Sequence, residues 1–519
     1  TPQDQVVQGA SIPVTVDAAF FFGGAVSDAD VQWSVLSAPY FFNYTGSGWY
    51  DWTDYDYSAG PGTVFYGGYG ELIASGSART DARGLAAFTV SADLGKRTAS
   101  QTFTIEATVA DINGQSVSAR TTVTVHQGNF YVGARPTSYV SNTGDPATVE
   151  MLALDWDQQP LAGQTLNVQF NQHEWFSVQE KDEFGNTIYT WNVKDTPVAE
   201  TQVTTDAQGK AAAAFTPSKG GTYKVIVTGR DSGGRTVRTA TYMWISSATD
   251  YVSWRVENND RLTLVADKRS YKPGETARIL IPSPFQGDTT ALITVERGRI
   301  LQHEVRTLTS NSTVLDLPIT DAFAPDVFVS VVLVKGVDAT NPLPAFKMGL
   351  IELKVDTAHL KINLTVTPDK EKVGPRDTVR YTLRATDAAG KPVRGEFSLA
   401  LVDLAVLSLA DPNAPPILDF FYGERGLGVR TGISLALNVN RYTVAAAKAK
   451  GGGGGGGGEA FFEVRSEFLD TAYWRADVVT CATTSPVPVV FGADLRPGTH
   501  VDAVGAFRPD TREVDTETV

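Results

Sequence analysis

Along most of the chain, apolar positions recur at every second residue. Segments such as SIPVTVDA, TFTIEATVA, TVEMLALDW, TYKVIVTG, DVFVSVVLV and TVRYTLRAT alternate or run apolar over short stretches, are rich in Val, Thr, Ile and Phe, and are bounded by Gly, Asp and Pro. Successive side chains of a strand point to opposite faces, so this pattern predicts sheets with one covered face. Short strands punctuated by turn residues at this density predict antiparallel sandwiches. Helical spacing is confined to LADPNAPPILDFFYG and SLALNVNRYTVAAAKAK, between residues 409 and 450.

The pattern repeats. A Gly or Pro turn, a polar residue and an alternating strand recur as GASIPVTV from Gly9, GDPATVEM from Gly144, GETARILI from Gly274 and PRDTVRYTL from Pro375. The starts lie 135, 130 and 101 residues apart, about the length of one immunoglobulin-like sandwich. A second motif, TDARGLAAFTV (80–90) and TDAQGKAAAAF (205–215), sets an Asp-x-x-Gly turn before a strand, and DAAGKPVRGEFSLAL (387–401) parallels DWDQQPLAGQTLNVQF (155–170). The expected fold is all-β: tandem immunoglobulin-like antiparallel β-sandwiches over 1–127, 128–247, 248–353 and 354–475, with a flexible Gly-rich insertion and a short C-terminal α/β fragment, 476–519.

Composition narrows the function classes. With 519 residues the chain is too long for one core. A net charge of −14 and the absence of a basic stripe exclude a nucleic-acid or anionic-membrane partner. The lone Cys481 rules out an intramolecular disulfide framework. No stretch approaches 18 uninterrupted apolar residues, and the opening TPQDQVVQGASIPV carries neither an initiator Met nor a signal pattern, so the chain is expected to be an excerpt of a longer protein. His126, His173, His303, His359 and His500 are scattered without partners at metal spacing, which predicts no metal site. The aromatic run Tyr40–Tyr69, with Trp49, Trp52, Tyr55 and Tyr57, is expected to be a long hairpin of the first sandwich; a carbohydrate platform is the alternative. Asp51, Asp54 and Asp56 among these aromatics could hold calcium, but nothing else closes such a site.

The phrases FYVGARPTSYVSNTGDPATVEMLALDWDQQPLAGQTLNVQF, SYKPGETARILIPSPF, ITDAFAPDVFVSVVLVKG, LALVDLAVLSLADPNAP and VRSEFLDTAYWRADVVT, in that order, resemble the macroglobulin domains of bacterial alpha-2-macroglobulin-type protease inhibitors over about residues 1–480. The resemblance implies that the interval between VDLAVLSL and VRSEFLDTAYW, about 409–464, is a bait region, a protease-susceptible insertion in the sixth macroglobulin domain. The eight consecutive glycines at 451–458 fall inside it. Poly-glycine has no side chain to bury and loses the most entropy on ordering, so it suits a segment that must stay open to a protease. Such a lure also needs residues for several specificity pockets: Arg441, Lys448 and Lys450 for trypsin-like enzymes, Tyr442, Leu437, Phe461 and Phe462 for chymotrypsin-like ones, and Ala445–Ala447, centred on Ala446, for elastase-like ones. The alternative for 433–447 is an amphipathic helix docked on a sandwich with its Lys residues in solvent.

The last residues follow another pattern. The family resemblance implies a thioester domain with a Cys-x-Glu-Gln core, yet Cys481 is followed by Ala482, Thr483 and Thr484, so no thioester can be written. Instead, ADVVTCATTSPVPVVFGADLRPGTHVDAVGAFRPDTREVDTETV (476–519) resembles an internal stretch of the ornithine cyclodeaminase and mu-crystallin family, where strands like DVVTCAT and HVDAVGA lie in a parallel dinucleotide sheet. Phe507 stands where that resemblance places a catalytic Asp, and apart from the poly-glycine the chain lacks a G-x-G-x-x-G turn between strand and helix. The two resemblances meet at Ala476–Thr480, which predicts a chimera of two reading frames, with a natural fusion as the alternative, and poor packing of the tail. The functional expectation is a non-enzymatic fragment of a broad-spectrum endopeptidase inhibitor of the cell envelope, periplasmic or secreted. It needs no cofactor, its partners are proteases, and a membrane anchor could lie only in a preceding part of the full protein. The alternatives are a structural or adhesive array with a passive glycine hinge and, remotely, a cyclodeaminase-like enzyme fragment.

Overall fold

The structure, a computed structural model, describes residues 1–54 except Phe22, 70–110, 114–181, 187–255, 259–339, 341, 344–374, 376–400, 402, 417–431, 478–481 and 500–503, with backbone alone at 177–181, 187–191, 419, 478–481 and 500–503. The fold is all-β. Its contacts divide into two units, Thr1–Val256 with Leu264–Gly287 and Thr309–Pro318, and Glu257–Thr263 with Asp288–Leu308 and Ile319–Val519.

In the first unit, strands β1 (Gln5–Val7), β2 (Ser11–Asp17), β3 (Asp30–Pro39), β4 (Glu71–Arg79), β5 (Leu85–Ser91), β6 (Gln101–Ala110) and β7 (Ser116–His126) build a sandwich. The larger sheet has the order β1-β7-β6-β3-β4 and the smaller is the β2-β5 pair. Alternate residues supply the core: Val35, Phe103, Ile105, Val123 and Val125 from the larger sheet meet Ile12, Val14 and Val90 from the smaller. The second sandwich follows with β8 (Phe130–Pro136), β9 (Val140–Asn142), β10 (Ala147–Asp155), β11 (Thr165–Lys181), β12 (Thr187–Thr204), β13 (Lys210–Phe215), β14 (Gly221–Arg230) and β15 (Thr236–Ser246). Its sheets run β13-β10-β8 and β12-β11-β14-β15-β9, around Phe130, Met151, Leu166, Phe170, Val225 and Met243.

The repeated turn has a common geometry. In each sandwich a three-residue strand pairs in parallel with the last strand, β1 with β7 and β9 with β15. The chain then crosses to the other sheet through Gly9 or Gly144, at φ +85° and +86°. Left-handed backbone costs a side chain roughly 1–2 kcal/mol, which is why glycine opens the motif. Gly274, at φ +90°, precedes the strand Thr276–Pro282 in the same way. That strand pairs with Ser312–Pro318 and Val265–Ala266, still in the first unit. The Asp-x-x-Gly turns are equally regular: Asp81 Oδ1 accepts from the amides of Arg83 and Leu85, and Asp206 Oδ1 from those of Gln208 and Lys210, at 2.8–2.9 Å.

In the second unit, Ala345–Val355, Asp326–Lys335, Thr289–Glu296 and Ile300–Leu308 form an antiparallel sheet in that order. A six-residue helix, Ile417–Tyr422, lies inside the one window with helical spacing. Of the expected fourth unit, the described residues show a hairpin, Asn363–Pro368 with Tyr381–Thr386. In the tail, Val478–Cys481 and His500–Ala503 pair in parallel, the orientation the second resemblance implies.

The aromatic run is a correction. Residues 40–54 contain no strand, apart from a bridge of Asp51 to Ala134, and they leave the first sandwich to lie on the second. Phe42 and Tyr50 pack with Tyr131, Leu152 and Leu154, flanked by Tyr40, Tyr44, Trp52 and Trp156. The alternation of aromatic with polar residues satisfied a strand pattern locally, but the apolar partners belong to another sheet. Residues 55–69 lie outside the described residues.

Candidate functional site

The segment 417–431 falls inside the expected bait interval, about 409–464, upstream of the expected cleavage residues, and it is moored to the sheet of the second unit. Asp326, the first residue of its strand and fully buried, accepts a hydrogen bond from the Arg425 amide at Oδ1, 3.1 Å away. Its Oδ2 has no hydrogen-bond partner among the described residues, and burial holds this carboxyl above the usual carboxylate range. Glu424 pairs with Lys354 on the neighbouring strand. The Gly298 amide donates to the Leu427 carbonyl at 2.7 Å. Gly428 sits at φ +63°, and a Cβ there would stand 2.8 Å from the Cα of Gly298, so a glycine is needed for the two backbones to meet.

Arg297 braces the platform beneath. Its Nη1 donates to the carbonyls of Phe323, Ala324 and Asp326, at 3.1, 2.7 and 3.0 Å, and Nη2 to that of Ala322 at 2.9 Å. One guanidinium thus fixes the short turn Asp321–Phe323 that leads into the Asp326 strand. Burial, followed by the nearby Arg425 charge, lowers the Arg297 pKa. These contacts hold Glu424, Arg425, Leu427 and Gly428 against the sheet, upstream of Arg441 in the chain.

The proposed cleavage residues Arg441, Tyr442, Ala446, Lys448, Lys450, Phe461 and Phe462 lie outside the described residues, as do the octaglycine, Asp56 and Phe507. Cys481 ends the strand Val478–Cys481. No group of three or more His, Cys, Asp or Glu suited to a metal occurs among the described residues. Asp51 and Asp54, weighed as calcium ligands, serve other partners: Asp51 Oδ2 accepts from Thr241 Oγ1 at 2.6 Å, and Asp54 pairs with Lys224 at 2.8 Å and Arg238 at 2.5 Å. His126 is buried with Nδ1 2.5 Å from Tyr131 Oη and Nε2 3.1 Å from Gln5 Oε1. His173 pairs with Asp195, and His359 with Asp321. Sequence reasoning missed the mooring of 417–431; the faint signal was the GERGLG glycine pattern, whose partner Gly298 is distant in sequence.

Tandem all-β modules followed by a moored strand-free segment define a multidomain, sandwich-built chain, and comparison with known proteins places it. The bacterial macroglobulin domain 6 model matches residues 133–245 and the alpha-2-macroglobulin bait region domain model matches 262–409, together just over half of the chain. The chain belongs to the bacterial alpha-2-macroglobulin family. It is 24% identical over 335 residues to an alpha-2-macroglobulin homolog of Nostoc sp., covering 63% of this chain and 17% of that protein. It is 27% identical over 329 residues to an alpha-2-macroglobulin of Ralstonia nicotianae, covering 60% and 19%. The chain therefore spans less than a fifth of the length of these relatives. The native conformation of E. coli alpha-2-macroglobulin is similar with a TM-score of 0.35 and 16% identity, over 82% of this chain and 27% of that one. The domain 6 match falls on the second expected unit, which corrects the expectation that the bait-bearing fourth unit is the sixth domain. The bait region match covers 262–409 and ends where the expected bait interval, about 409–464, begins.

Proposed function

We propose that this chain is the macroglobulin and bait portion of a broad-spectrum endopeptidase inhibitor that works by physical trapping rather than by catalysis. The observation that carries the reading is the bait region domain match over 262–409, followed further along the chain, from Arg441 to Phe462, by a segment combining the octaglycine with Arg, Lys, Tyr, Phe and Ala residues. Proteases are its partners, and the lure is the interval from Arg441 to Phe462. The working location is the cell envelope, periplasmic or secreted; among the described residues no helix is long and apolar enough to cross a membrane. Modules of 1–127, 128–247, 248–353 and 354–475 carry the lure in the last of them. We read 476–519 as a fragment of a dinucleotide-binding domain joined to the rest, a reading supported by the parallel pairing of its two described strands.

Limited proteolysis tests this. A strand bond is exposed only by opening toward the global unfolding free energy, ~5–15 kcal/mol, and each ~1.4 kcal/mol of opening slows cleavage about tenfold when reclosing is fast. Trypsin is expected to cut first at Arg441, Lys448 or Lys450, and elastase at Ala445–Ala447. A trap then changes its small-angle scattering after the cut, whereas a passive array keeps it. In this assay covalent capture by residues 1–519 themselves is not expected, because their Cys481 lacks the thioester context. First cuts elsewhere, with 441–462 resistant, would favour the structural array.

A further inference from the structure

The side of the second sandwich between β8 and β15 belongs to two different sheets, and such an open side exposes an unpaired strand edge. Here it is filled. Asp51 pairs its amide and carbonyl with the carbonyl and amide of Ala134 on β8, at 2.8 and 2.9 Å, adding one residue of strand to that edge. The Asp51 carbonyl accepts from Thr239 Oγ1 at 2.8 Å, and its carboxylate from Thr241 Oγ1, both on β15. The same short stretch thus ties the two sheets together.

Charge and shape agree with this seat. Asp54 has 4% of its side chain exposed and lies between Lys224, 9% exposed, and the Arg238 guanidinium. Its carbonyl accepts from Thr98 Oγ1 at 3.0 Å, Gln127 Nε2 donates to the Thr98 carbonyl, and the Arg238 amide donates to Gln127 Oε1 at 2.8 Å, closing a ring of contacts across the two sandwiches. Gly133 makes room for the aromatics: a Cβ there would meet Tyr50 at 2.8 Å and Trp52 at 2.9 Å. Arg135 lies over the Tyr50 ring and Arg269 over that of Trp49, 4.5 and 4.2 Å from the centroids.

We propose that this side of the second sandwich is an acceptor groove for an extended peptide carrying aromatic residues and paired aspartates, and that its resident ligand is the chain's own segment Gly48–Asp54, which clamps the first sandwich onto the second. The groove supplies backbone pairing at Ala134, hydroxyl donors at Thr239 and Thr241, and two cations for one buried carboxylate. It is independent of the bait reading and would make the first two sandwiches move as one body.

The test perturbs each partner in the full chain and reads amide hydrogen exchange. Removing Asp54 as Asp54→Ala leaves Lys224 and Arg238 facing each other without an anion, so exchange at the amides of Asp51 and Ala134 is expected to accelerate on the order of a hundredfold. Gly133→Val pushes on the segment from the groove side and is expected to release the same two amides, while the protected core amides of Val168 and Val225 stay slow. Asp28→Ala, which breaks an exposed pair with Arg79, is the control and should change neither. A distance distribution between probes on the two sandwiches should broaden in the two groove variants. Unchanged exchange at Asp51 and Ala134 in both variants overturns the proposal, as does loss of protection that spreads equally to Val168 and Val225 in both.

Discussion

Gly428→Ala separates a moored segment from a merely adjacent one. The wild-type residue lies at φ +63° with Gly298 beneath it, and the new Cβ would stand 2.8 Å from the Gly298 Cα. That neighbour is backbone and cannot rotate away. The left-handed conformation costs alanine roughly 1 kcal/mol, and the hydrogen bond from Gly298 to Leu427 that must stretch contributes about 1 kcal/mol more, so mooring weakens by about 2 kcal/mol. Arg425 and Arg430 are exposed trypsin sites on the same segment. Their cleavage follows the open population, so it should rise about thirtyfold relative to cleavage at Arg441, Lys448 and Lys450. Gly426→Ala is the matched control, because a Cβ there meets nothing within 4 Å. Peptide mapping of a short trypsin time course reads both. An unchanged ratio in Gly428→Ala, or an equal rise in Gly426→Ala, would refute the mooring.

Two further outcomes follow from the buried sandwiches. Phe170→Ala empties a fully buried site whose ring lies 4.5 Å from that of Phe215, and should cost the second sandwich about 3–5 kcal/mol in urea unfolding; a loss below about 1 kcal/mol would mean the site collapses freely. His126 is held neutral by burial, its pKa pushed down from 6.5 to about 4. The folded pKa is the lower one, so its contribution is complete above pH 6.5 and is lost as pH falls toward 4, the total loss being about 3 kcal/mol. His126→Gln should flatten the stability profile in that window, and an unaltered profile would exclude His126 as its source.

Local chemistry explains what the sequence revealed. The alternating strands were legible because a sheet face needs only every second residue to be apolar, as the Val35, Phe103 and Val123 layer shows. The Asp-x-x-Gly turns at Asp81 and Asp206 were legible because one carboxylate captures amides two and four residues ahead, and the fold shows the same turn at Asp231 and Asp387. Each such turn is complete within five residues. The mooring of 417–431 and the clamp of 48–54 have no such closure. Asp54 meets partners 170 or more residues downstream, and Leu427 meets Gly298 on a different element. Read locally, the clustered carboxylates of Asp51 and Asp54 suggested calcium only as a candidate that nothing else closed; the cations that neutralise Asp54 are Lys224 and Arg238.

The clamp nevertheless left a trace in the strand that receives it. The stretch FYVGARP alternates Phe130, Val132 and Ala134 into the second core, all nearly or fully buried. Gly133 falls on the opposite face, at a position where a β-branched or aromatic residue would normally strengthen the strand. A glycine inside a strand loses conformational entropy and packs nothing, so it persists where another chain comes too close for a side chain. Tyr50 and Trp52 are that chain. The Arg135 that follows two residues later then needs an aromatic face and an anion, and finds Tyr50 and Glu150. Gly133 and Arg135 together mark the outer face of β8 as a receiving surface, although only the fold identifies Gly48–Asp54 as what it receives.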